Sequence, residues 1–118
     1  MKKIEAVIPP SRVDAVRAEL ERRGICGGLT LTEVQHGDTH KQSITPHNGS
    51  DDQLKERVKL ELIVSDRQAD KAVSVILRHA LTDSSEPGGH VTLLDVSEVL
   101  QISHPPSDIS GSGARENP

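Results

Sequence analysis

Ile4, Ala6 and Ile8 occupy alternate positions in residues 3–9 before Pro9-Pro10 ends the run, and this period of two predicts a first strand. Val13, Val16 and Leu20 then recur at helical spacing among Arg and Glu side chains. With Ser11 as N-cap and Gly24 as the stop, the pattern predicts an amphipathic helix over 12–23. Residues 28–35, GLTLTEVQ, are rich in β-formers and predict a second strand. Alternation returns at Val58, Leu60, Leu62 and Val64, which predicts a third strand over 58–64. Ser65 or Asp66 caps a second helix, and its stripe of Ala69, Ala72, Ile76 and Ala80 carries it to about residue 81. A Gly-containing turn at 82–89 leads into the last strand, 90–96.

The order is βαββαβ, two similar halves of strand, helix, turn and strand. It predicts an α+β, ferredoxin-like fold with an antiparallel sheet, both helices on one face and the other face open to subunit packing. Joining the halves, residues 36–57 hold two Gly, one Pro and three His with almost no apolar periodicity, the mark of a functional loop. The domain spans 1–102. Residues 103–118, rich in Pro, Gly and Ser, read as a disordered tail.

Composition sharpens this picture. With 118 residues there is room for one core, and none of its apolar side chains is Phe, Tyr or Trp, so the core is thin and a homo-oligomer is expected. A net charge of −4 with both signs interspersed, and no aromatic stacking platform, exclude a nucleic-acid binder. Cys26 has no intramolecular disulfide partner, and no apolar stretch reaches the length of a signal or membrane segment, so a cytoplasmic protein without membrane insertion is expected.

The opening MKKIEAVIPPSRVDAVRAELERRGI, the block LTLTEV, the strand VKLELIV, the helix AVSVILRHALTD and the closing HVTLLDVSEVLQI follow one another in a fixed order. As an ordered set over about residues 1–102 they resemble the P-II nitrogen-regulatory signalling family. The resemblance implies a non-catalytic homotrimer that takes an adenine nucleotide in three inter-subunit clefts and docks a flexible loop onto a target transporter or enzyme. It places Thr30, Glu61 and Ile63 at the adenine, and Thr82, Gly88 and Gly89 on the phosphate side, with His90 where the family has a lysine. It makes Gly37, His40, Lys41, Gln42 and Arg57 the effector loop, with Gln42 near a glutamine that the family uses for metal and 2-oxoglutarate.

The departures are informative too. Gln101 and Ser103 stand where the family has basic residues. Each lost charge-assisted contact to a triphosphate costs about 1.5–3 kcal/mol, so ADP or AMP is expected ahead of ATP. The loop has no tyrosine, which removes uridylylation. Divergent P-II-like proteins accompany inorganic-carbon systems such as bicarbonate transport and carboxysomes, and His40, Lys41 and Arg57 are placed to hold a small anion such as bicarbonate. No obligatory cofactor is expected.

Several features have plainer readings. His36, His40 and His47 share the loop at spacings that can bind zinc or copper, yet without cysteine or a rigid scaffold such histidines are solvated. Cys26 reads as a small buried hydrophobe rather than a redox switch. Gly88-Gly89 alone reads as a turn, Asp51-Asp52 as a solvated pair, and Asp95 as a lone polar residue with no evident base. No Ser-His-Asp, paired-carboxylate or P-loop pattern is present. The alternative is a ferredoxin-like trimeric metal-binding or scaffold protein of the copper-tolerance (cutA) type.

Overall fold

A computed structural model describes residues 1–25, 27–37, 39, 54–83 and 89–103. Its elements run β1 (Lys2–Ile8), a 3-10 turn (Pro10–Arg12), α1 (Val13–Arg22), β2 (Leu29–His36), β3 (Lys55–Val64), α2 (Asp66–His79) and β4 (His90–Asp95). The four strands form one sheet in the order β2-β3-β1-β4, and every neighbouring pair is antiparallel. This is the expected α+β ferredoxin-like arrangement.

The alternating residues supply the core. Ile4 and Ala6 stand opposite Leu62 and Leu60, so all four point to the same side of the sheet. There they meet Val16 and Leu20 of α1 and Ala69, Ala72, Val75 and Ile76 of α2, all buried. Aliphatic side chains alone fill this layer, and no polar side chain is buried in it among the described residues.

Punctuation follows local chemistry. Pro10 opens the 3-10 turn, where its missing N–H has no ladder to break. That turn takes up Ser11, so α1 begins after Arg12 and Ser11 is not its N-cap; Arg12 gives no side-chain cap either. Instead, Arg12 Nε donates to the His79 carbonyl at 2.8 Å and ties the start of α1 to the end of α2. Gly24 ends α1 as expected: at φ +72° it adopts the left-handed conformation, its N–H donates to Glu21 O, and the Ile25 N–H donates to Leu20 O, both at 3.0 Å. Of the two candidate caps for α2, Ser65 is the one used, its hydroxyl accepting from the Gln68 N–H at 3.3 Å.

The β2–β3 hairpin reaches further than its apolar pattern predicts. Val34, Gln35 and His36 pair with Arg57, Glu56 and Lys55, so residues 36 and 55–57 belong to strands rather than to a loop bounded by 36 and 57. Ladder hydrogen bonds are made by backbone, and this outer stretch has no buried face to impose a hydrophobic period. Beyond β4, residues 96–103 run on without regular structure, and the Val96 N–H donates to the Met1 carbonyl at 3.1 Å. The tail expected from 103 onward lies, apart from Ser103, outside the described residues.

Candidate functional site

Opposite residues in an antiparallel ladder share a face, so the registers define what the uncovered side of the sheet displays. One row across the strands is Thr30, Glu61, Glu5 and Thr92; the next toward the hairpin is Thr32, Lys59, Val7 and His90. Ile63, Lys3 and Leu94 lie one row the other way. Val34 with Arg57, and His36 with Lys55, extend the face along the hairpin.

Thr30, Glu61 and Ile63, expected together, are brought together: Thr30 faces Glu61 directly, and Ile63 is the next residue of β3 on that side. Thr30 is exposed, whereas Glu61 and Ile63 are half-buried. The Glu61 carboxylate lies 3.5 Å from Lys59 Nζ and 3.7 Å from Lys3 Nζ, and Lys3 also reaches Glu5 at 3.2 Å. The Glu5 hydrogen bond, then the Glu61 charge, hold the Lys3 ammonium above its ordinary pKa. These charges are balanced among themselves.

Gly89 and His90 sit on the opposite edge, where β4 begins beside the end of β1. Gly89 has φ +120°, and a Cβ there would lie 1.8 Å from the Val7 carbonyl oxygen. Only glycine lets the two backbones come that close, which accounts for this residue before any ligand is considered. His90 stands opposite Val7, which is only 8% exposed although it lies on the uncovered face. Thr82, just past α2, is half-buried and already engaged within the chain. Gly88 lies outside the described residues.

Of the expected effector loop, Gly37 follows β2 directly and packs beside Leu54. Arg57 is not a loop residue. It is a half-buried member of β3, and its Nη1 donates to the Glu56 carbonyl at 2.9 Å. His40, Lys41 and Gln42 lie outside the described residues, as does Cys26. His36, grouped above with the loop histidines, belongs to β2, and its ring centroid is 5.0 Å from that of His90 with the planes tilted by 48°. Continuing the Thr30, Thr32, Val34 alternation by one step would have placed His36 on this face.

Asp95 does have a basic partner: Lys2 Nζ donates to its carboxylate across the β1–β4 ladder, pulling the Asp95 pKa down and pushing that of Lys2 up. Among the described residues no group of three or more His, Cys, Asp or Glu is placed to hold a metal ion. No described helix is long and apolar enough to cross a membrane. A shallow cavity of about 370 Å³ lies elsewhere, between α1 and the start of β2, against Leu20, Ile25, Leu29 and Leu62. The open face thus offers the Thr30 hydroxyl, the apolar side chains of Ile63 and Val7, and basic side chains toward the hairpin.

Comparison with known proteins covers nearly the whole chain. Residues 1–104 match the family model described as nitrogen regulatory protein P-II. A nitrogen regulatory protein P-II of Pasteurella multocida (strain Pm70) is 35% identical over 104 residues, covering 86% of this chain and 91% of the relative. That of Porphyra purpurea is 33% identical over 105 residues with the same coverage. Nitrogen regulatory protein P-II 1 of Escherichia coli (strain K12) is 35% identical over 104 residues, again covering 86% and 91%.

Proposed function

The chain belongs to the nitrogen regulatory protein P-II family, a family of signal-transduction regulators, and from that membership we propose that it binds an adenine nucleotide in clefts shared between subunits of a homotrimer. It acts by regulation rather than catalysis. ADP or AMP is the preferred ligand over ATP, because Gln101 and Ser103 bring no charge to a third phosphate.

The placement of Thr30 and His90 on opposite edges of one open face is the observation that best supports a shared cleft. Thr30 lies on β2, and Gly89 and His90 lie at the start of β4, three strand spacings or about 14 Å apart in a flat sheet. Each edge strand has a sheet neighbour on one side only among the described residues, so a second copy can bring one edge to the other. Beyond β4, Leu100 is 78% exposed and Ile102 fully exposed, apolar surface of the kind that association covers. The long connection between His36 and Lys55 is the segment that reaches a target protein, from a hairpin stem contiguous with the face.

Calorimetric titration of the assembled protein with ADP, AMP and ATP tests this. Binding of one adenine nucleotide per chain is the expected result. Absence of binding by all three would remove the reading.

A further inference from the structure

Histidines in a solvated loop make poor metal ligands, because closing two mobile side chains around an ion costs ordering entropy. His36 and His90 are not in that position. His36 closes β2, paired with Lys55, and His90 opens β4 opposite Val7. Each exposed side chain is thus held by a strand of one sheet, and the two rings meet at 5.0 Å with their planes tilted by 48°.

That spacing suits a shared metal ion. A zinc-bound nitrogen lies about 2.0–2.1 Å from the metal and about 1.1 Å from the centre of its own ring, so two tetrahedral imidazoles place their ring centres about 5.2 Å apart. The right angle of a square-planar copper(II) site would bring the centres to about 4.5 Å. The observed 5.0 Å is nearer the tetrahedral value. Neither imidazole makes a hydrogen bond or ion pair with another described residue, which leaves ring nitrogens available as ligands.

The charges nearby do not forbid a cation. Lys59 shares the row of His90 but reaches Glu61 at 3.5 Å, Arg57 donates to the Glu56 carbonyl at 2.9 Å, and Lys55 is engaged within the chain as well. Their repulsion acts through solvent and is screened, whereas each imidazole supplies a direct bond to the metal.

We propose that His36 and His90 form a two-imidazole site for a borderline divalent cation, zinc being the ion that fits their spacing, with water in the remaining coordination positions. The site needs no nucleotide and stands apart from the nucleotide reading above. It also joins the two outer strands of the sheet, so a bound ion would fasten the end of the β2–β3 hairpin to the start of β4.

The test titrates the nucleotide-free protein with zinc and, separately, with magnesium by calorimetry, in the unmodified form and as His36→Ala, His90→Ala and His79→Ala, with thermal melts to verify folding. One zinc per chain is expected, weakened by about tenfold or more in His36→Ala and in His90→Ala alike and unchanged in His79→Ala, whose side chain belongs to α2 on the covered side of the sheet. Magnesium, which prefers oxygen ligands, is expected not to bind. In the unmodified protein zinc should shift the imidazole NMR signals of His36 and His90 together, a readout that depends on no variant. Zinc binding that survives either His36→Ala or His90→Ala overturns the pair, as does magnesium binding of equal strength. Absence of zinc binding also overturns it and leaves the contact as ring packing alone.

Discussion

The rings of His36 and His90 lie 5.0 Å apart although the strands that carry them are the two outer edges of the sheet. Two central strands separate those edges, so this contact records curvature of the β2–β3 hairpin rather than simple adjacency. It also joins the far end of the β2–β3 hairpin to the edge where Gly89 and His90 begin β4.

Gly89, just before β4, leaves no room for a side chain. A Cβ would collide with the Val7 carbonyl at 1.8 Å, and the residue would have to hold φ +120°. Gly89→Ala is expected to destabilise the fold by about 2–4 kcal/mol through strain and a displaced β1–β4 ladder. Urea unfolding would read this directly, and an unchanged midpoint would show that β4 can begin elsewhere.

If the proposed nucleotide reading holds, charge at residue 101 should set how many phosphates are tolerated. Gln101→Arg should raise affinity for ATP by about 1.5–3 kcal/mol while changing that for AMP much less, because the added cation meets only the end of a longer phosphate chain. Calorimetry on the three nucleotides compares these directly, and a uniform gain across them would place residue 101 away from the terminal phosphate.

Association should depend on the apolar residues after β4. The expected mass is three times the 12.7 kDa of one chain. Leu100→Asp together with Ile102→Asp, both positions being exposed in the single chain, should shift the protein toward monomer in light scattering. Retention of the trimer would move the interface to the sheet face alone.

Acid stability should report Glu19. Hydrogen bonds from Arg22, then Arg23, lower its pKa from 4.5 to about 2. A carboxyl depressed in the folded state contributes stability that is complete above 4.5 and is lost as pH falls toward 2. Glu19→Gln should flatten the dependence of melting temperature on pH within that window and leave its shape above pH 5 unaltered. The effect is small, since the pair is exposed to water.

The elements legible in the sequence are those with one buried face. Val58, Leu60, Leu62 and Val64 alternate because every second residue must enter the core, and the stripe on α2 is visible for the same reason. Lys55, Glu56 and Arg57 continue β3 with polar residues on both sides, so no period announces them. Ser11 carries the right chemistry for a cap, but Pro10 starts the helical turn one step earlier and the hydroxyl falls inside it. At the site, the resemblance alone grouped Thr30 with Glu61, and the β2–β3 register sets the two opposite each other. The meeting of His36 with His90 was not legible, because it depends on how far a ribbon curls, a property of the assembled sheet rather than of any local spacing.

The last β1 pair on β3 is Ile8 with Val58, and three further β2–β3 pairs extend past it. Among the described residues, this leaves about 10 Å of two-stranded ribbon without a third strand beside it. Two strands alone twist more readily than a full sheet, so any bend of this ribbon would have its fulcrum near Val58. A pivot of about 10° there would displace His36 and Lys55 by roughly 2 Å, enough to break or remake hydrogen bonds at the tip, which tolerate only a few tenths of an ångström. Leverage of this kind turns a small change on the sheet into a larger one at its far end.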